Sequence, residues 1–239
     1  MNTRKRISLA RALSKLGHSS RSRARPLIEG GHVTVNGEKV RDPEARIDIE
    51  RDHVVVDGIA VEQEKYVYIV MYKPAGVVTT ASDELGRSTV FDVLADADLP
   101  RLGAVGRLDM ESEGLLLFTN DTRWANRIAS PEGHVEKTYH VQIDRVPDVA
   151  LLEALKRGID DRGERLKANR VETLELSDDG AWLEIVLDEG KNRHIRRMLG
   201  AREVGVMRLI RVQIGTLKLG KMKPGTYREL TSAEVESLR

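Results

Sequence analysis

The sequence predicts an α+β protein in two parts: a small N-terminal helix–helix–hairpin module, then a mixed, mainly antiparallel sheet flanked by helices. Helical spacing near the N-terminus gives way to an Asn36-Gly37 turn between alternating residues. A dense apolar and aromatic run opens at Tyr66. Beyond it, strand-like segments predominate and few strand–helix–strand units are seen, which argues against a doubly wound parallel sheet.

In chain order, Ile7, Ala10, Leu13 and Leu16 recur at near-helical spacing and Gly17 is placed to end that helix. Ser19 or Ser20 caps a second helix running to Glu29, with Gly30-Gly31 as its stop and Pro26 awkwardly inside it. His32–Val35 alternates like a strand, Asn36-Gly37 turns, and Glu38–Val40 begins the return. Tyr66–Met71 reads as a buried strand. Further strands are predicted at Thr138–Ile143, Arg170–Leu176, Ala181–Leu187 and Leu209–Leu217, and helices at Val90–Leu94, Trp124–Ala129, Val149–Arg157 and His194–Leu199. Two domains are expected, residues 1–61 and 62–239.

No apolar run approaches the roughly 20 residues that cross a bilayer. Arg11 and Lys15 interrupt the apolar stretch behind the basic start, so neither a membrane span nor a signal peptide is expected. With no cysteine, disulfides, thiolate nucleophiles and Cys-ligated zinc are excluded, which fits a cytoplasmic protein. Charge is strongly segregated. Residues 1–41 carry ten basic and two acidic side chains, residues 190–228 eleven and one, and residues 42–189 seventeen and thirty-two. Two basic blocks on an acidic remainder suggest a polyanion held at two places, the bland alternative being two solvated faces. Arg21, Arg23 and Arg25 fall on or just before the second helix, where its N-terminal dipole adds to their attraction for phosphate.

Three runs carry candidate chemistry. In GAVGRLDMESEGLLLFTND (Gly103–Asp121), Asp109 precedes a buried strand, so rigid structure holds its carboxylate; the alternative is that Asp109, Glu111 and Glu113 form an acidic capping loop. EGKNRHIRRM (Glu189–Met198) concentrates Lys191, Arg193, Arg196 and Arg197, which require anionic partners or a solvated helix face. Lys137-Thr138-Tyr139 starts a strand with a tyrosine able to stack on a flipped base, or simply to fill the core. His134 and His140 lack triad or metal-ligand companions at useful spacing. No phosphate-cradling glycine loop occurs, so neither a nucleotide cofactor nor a metal is expected.

The segment GHSSRSRARPLIEGGHVTVNGEKV resembles the S4 RNA-binding domain, over about the first 60 residues, with Pro26 as a departure. GRLDMESEGLLLFTND resembles the catalytic loop of the pseudouridine synthases. MYKPAGVVTT (Met71–Thr80), the KTY run and EGKNRHIRRM accompany it in that family's order, with Ser112 where threonine is commoner. The S4 module and the NRHIRRM form are similar to the branch acting on small- and large-subunit ribosomal RNA. NRHIRRM and LIRVQIGTLKLG look nearer to the large-subunit (23S) than to the small-subunit (16S) enzymes. The resemblance implies Asp109 as the catalytic aspartate, Tyr139 beside the target uracil, and Arg196 as the basic partner of Asp109. Arg21, Arg23, Arg25, Arg107, Lys191, Arg193 and Arg197 are then the expected RNA contacts, no cofactor is implied, and a monomer is expected. Two other readings exist: a non-catalytic S4 protein binding ribosomal RNA, and a carboxylate hydrolase with a second carboxylate facing Asp109.

Overall fold

The computed structural model describes residues 6–49, 51–61, 65–95, 98–178 and 180–239. The chain divides into two compact units, residues 1–65 and 66–239. The expected boundary at 61/62 borders residues 62–64, which lie outside the described residues.

The first unit runs β1 (Ile7–Ser8), α1 (Leu9–Lys15), α2 (Arg21–Glu29), β2 (Val33–Val35), β3 (Glu38–Lys39), β4 (Arg46–Ile47), β5 (Val54–Val56) and β6 (Ile59–Ala60). Ser20 caps α2 by accepting from the Arg23 N–H. Pro26 does not break the helix as its position suggested: α2 continues to Glu29, and Ser22, whose carbonyl the missing N–H would have met, is exposed. Asn36 and Gly37 both adopt left-handed backbone (φ 53° and 85°), as a two-residue hairpin turn demands. Beyond this predicted hairpin, β5 and β6 extend the pairing to a sheet of order β3-β2-β5-β6, whose Val33, Val54 and Val56 pack with Leu9, Leu13 and Ile28 in one core.

The second unit contains β7 (Tyr68–Lys73), β8 (Gly103–Val105), β9 (Glu113–Thr119), α3 (Thr122–Ala129), β10 (Lys137–Ile143), α4 (Val149–Arg157), β11 (Ile159–Asp161) and β12 (Glu164–Leu166). It continues with β13 (Arg170–Ser177), β14 (Gly180–Leu187), α5 (His194–Gly200), β15 (Val206–Ile214), β16 (Leu217–Lys218), β17 (Tyr227–Glu229) and α6 (Ser232–Ser237). A nine-stranded sheet of order β13-β14-β10-β15-β9-β7-β17, with β8 on β9 and β16 on β15, forms its centre. The β9–β15 ladder is parallel and the sheet's other ladders are antiparallel.

Every residue of β9 is buried, because helices cover both faces there. Leu116 and Phe118 join Ile69, Met71, Leu155 and Met198 on one face, while Leu115 and Leu117 join Val70, Trp124 and Val235 on the other. Two expectations differ. The predicted helix Val90–Leu94 is only a 3₁₀ turn at Asp92–Leu94, and the predicted strand Leu209–Leu217 breaks at Gly215 (φ 53°), which turns β15 back onto β16. Among the described residues no helix is long and apolar enough to cross a membrane.

Candidate active site

β8 and β9 pair antiparallel, Val105 opposite Leu117, so residues 106–112 form a loop at one end of the sheet with Asp109 on it. The strand end of β7 and the segment behind it hold that loop. Lys73, fully buried, donates from Nζ to the carbonyls of Pro74 (3.0 Å), Met110 (3.3 Å) and Ser112 (2.7 Å). The Gly76 N–H donates to the Met110 carbonyl, and the Thr79 hydroxyl donates to the Leu108 carbonyl while accepting the Leu108 N–H. The MYKPAGVVTT run thus acts as the clamp of the aspartate loop. Burial pushes the pKa of the Lys73 ammonium down to about 8, with the charges of Asp109, Glu113 and Glu111 working the other way.

A cavity of about 360 Å³ opens beside the loop, of a size that admits a small ligand. Asp109 and Ser112 line it, with Tyr139 and Lys137 of β10, Arg193 before α5 and Arg211 of β15. The Asp109 side chain is one-third exposed, and Arg193 Nη1 lies 3.9 Å from its Oδ2 and 3.1 Å from Glu111 Oε2. Arg193 holds the Glu111 carboxyl below its ordinary range. Tyr139 is 9 % exposed, belongs to the core and also reaches the cavity wall.

The cations sort differently from expectation. Arg193, rather than Arg196, forms the ion pair with Asp109. Arg196 instead donates to the carbonyls of Glu111 and Val206 (both 3.3 Å), because α5 carries it one turn further along, half-buried over the loop's backbone. Arg197, expected at RNA, is taken up by Asp161 (2.6 Å) and Glu164 (2.5 Å) of the β11–β12 hairpin. Lys191 lines the cavity but donates to the Arg165 carbonyl and pairs with Glu189. Arg107 is exposed at the cavity. In the first unit Arg21 and Arg23 are exposed, whereas Arg25 pairs with Glu44 at 2.5 Å. Glu113, one of the acidic-loop residues, makes a bidentate pair with Arg208 (3.0 Å at each oxygen).

Lys73 falls inside the MYKPAGVVTT run and Arg211 inside LIRVQIGTLKLG, but nothing in either run marks the cation itself. Both cations lie in one row across four strands: Lys73 is opposite Gly114, Gly114 opposite Arg211, and Arg211 opposite Tyr139. Gly114 (φ 104°) sits against the Arg211 backbone, and a Cβ there would overlap the Arg211 carbonyl. Glycine therefore permits β9 and β15 to close behind the cavity.

Residues 67–201, more than half of the chain, match the family model for RNA pseudouridylate synthase, and residues 8–52 match the S4 domain. The chain is 35% identical over 233 residues to the ribosomal large subunit pseudouridine synthase B of Bacillus subtilis, covering 97% of this chain and 95% of the relative. It is 36% identical over 228 residues to an RNA pseudouridine synthase of Rickettsia prowazekii, covering 95% and 96%. A crystal structure of a pseudouridylate synthase superposes with a TM-score of 0.66 at 30% identity, covering 98% of this chain and all of the other. An S4 module followed by a mixed sheet with its aspartate loop clamped at a cavity agrees with these matches, and the chain belongs to the RNA pseudouridylate synthase family as a pseudouridine synthase carrying an S4 domain.

Proposed function

We propose that this protein isomerises a uridine of large-subunit (23S) ribosomal RNA to pseudouridine in the cytoplasm, as a monomer, with Asp109 as its catalytic carboxylate. The reaction breaks the C1′–N1 glycosidic bond, turns the uracil and joins C1′ to C5. The C5 proton leaves and N1 gains one, so atoms balance and no electrons are exchanged. Attack on the sugar, attack on the base or removal of a sugar proton each requires an unprotonated carboxylate oxygen beside the flipped nucleotide. The observation that carries the reading is Asp109 on a clamped loop at the cavity, with Tyr139 in its wall and Arg193 at 3.9 Å.

Tyr139 packs against the extruded uracil, and Arg196 braces the loop through the Glu111 carbonyl. Arg107, Arg193 and Lys191 contact the RNA around the cavity, and Arg21 and Arg23 supply phosphate contacts from the S4 domain. Large-subunit RNA as substrate is supported by the Bacillus subtilis relative's name. The test is Asp109→Asn, which keeps size and removes the charge. Pseudouridine formation should vanish while folding and RNA affinity survive, and near-wild-type turnover would show that another group does the chemistry. Mapping pseudouridines in ribosomal RNA from cells lacking the protein tests the substrate: a missing modification in the small-subunit RNA alone would refute the 23S assignment.

A further inference from the structure

Arg211 and Lys137 share the cavity wall with Tyr139, and the roles described above leave both unused. Arg211 is 5 % exposed; its Nε donates to the Leu115 carbonyl at 2.8 Å, and its Nη2 is buried without a hydrogen-bond partner. It makes no ion pair with a carboxylate among the described residues. So deeply buried a guanidinium lacking a counter-ion is strongly unfavourable unless something negative arrives. The side chain of Lys137, half-buried two residues before Tyr139, makes neither a hydrogen bond nor an ion pair among the described residues. Burial and then the Arg211 charge push its ammonium below the ordinary lysine range; the opposing carboxylate, Asp188, is itself engaged by Asn169 and by His134 at 3.4 Å.

We propose that Arg211 and Lys137 form a binding subsite for a backbone phosphate of the target nucleotide. The inference rests on the reading of the cavity as the uridine site and adds what anchors that uridine. Arg211 is the cross-strand partner of Tyr139, so an anion held there lies next to the place proposed for the base. Two neighbouring cations call for an anion. The uracil carbonyls and ribose hydroxyls of the flipped nucleotide are neutral, and its phosphodiester carries the charge. The pair also explains why β10 and β15 place cations inward on an otherwise apolar wall containing Leu187, Leu209 and Ile214.

The test uses the full-length protein and a ribosomal RNA stem–loop carrying the uridine it modifies. A neutral methylphosphonate replaces the phosphate on the 5′ or the 3′ side of that uridine. One of the two neutral linkages should weaken wild-type binding and lower kcat/KM on the order of ten-fold or more, as loss of a charge-assisted hydrogen bond does. Arg211→Gln and Lys137→Gln should lose a similar amount on unmodified RNA and less than about three-fold more when the linkage is neutral. If neither neutral linkage affects the wild type, or if the variants suffer its full effect in addition to their own, the subsite is wrong. Thermal unfolding checks each variant, and Lys137→Gln, at the less buried position, carries the test if Arg211→Gln does not fold. Asp109→Asn protein should show the same binding difference between the two RNAs, so an error in the catalytic residue and an error in the phosphate subsite give different results.

Discussion

Replacing Lys73 by Met removes the ammonium that holds the aspartate loop and keeps a side chain of similar length. Nζ donates at 3.0, 3.3 and 2.7 Å to three carbonyls, of which Met110 keeps the Gly76 N–H. Two hydrogen bonds to a charged group are worth about 3–6 kcal/mol. Against this stands the penalty of burying the ammonium, expressed in the drop from 10.5 to about 8 and equal to about 3 kcal/mol. The net loss of stability is then about 0–3 kcal/mol, or up to roughly 10 °C in Tm for a domain of this size. Turnover suffers far more: a displacement of about 1 Å at Asp109 lowers the rate on the order of 100-fold.

The pH dependence has a definite sign. Between about pH 8 and 10.5 the unfolded lysine keeps its proton while the folded one has released it, so wild-type stability relative to Lys73→Met should rise through that window, by up to about 3 kcal/mol. Below it the burial penalty is constant. Activity should move oppositely, because a neutral amine has two N–H groups for three carbonyls, and wild-type turnover should fall above about pH 8. Pseudouridine formation and thermal unfolding between pH 6 and 10.5 measure both trends. Turnover of Lys73→Met within three-fold of wild type, or a stability difference that is flat with pH, would refute the clamp.

Asp109→Glu should cost on the order of 100-fold in turnover, since the added methylene displaces the oxygens by about 1 Å; RNA binding measured in parallel should be unchanged. Gly114→Ala should destabilise by about 2–5 kcal/mol in denaturant unfolding, because its φ of 104° and the Arg211 backbone both oppose a Cβ. Neutralising Arg21 and Arg23 should flatten the salt dependence of RNA binding by about 0.7–0.9 log units for each phosphate no longer neutralised, with a smaller effect at Arg25, which already serves Glu44. Residues 66–239 alone should unfold cooperatively on heating and lose activity on ribosomal RNA; a fragment that cannot fold would mean that the two units depend on each other for stability.

By itself the sequence determined whatever depends on near neighbours in the chain. The Asn36-Gly37 turn, a serine cap for α2 at Ser19 or Ser20, the buried strand of Leu115–Phe118 and the helices at Trp124–Ala129 and Val149–Arg157 follow from backbone preference and periodicity, which act over a few residues. The motif at Asp109 was read instead from its resemblance to the catalytic loop of the pseudouridine synthases, since spacing alone leaves an acidic capping loop as the alternative. The partners of each charge were decided only in three dimensions. Nothing in EGKNRHIRRM distinguishes the arginine facing Asp109 from the one tied to Asp161, because that choice rests on where the β11–β12 hairpin and the aspartate loop meet α5. Lys73 on β7 and Arg211 on β15, far apart along the chain, become members of one row through the register of β9 between them. A buried charge has no periodic signature; its role is set by which carbonyls and cavity walls tertiary packing brings to it.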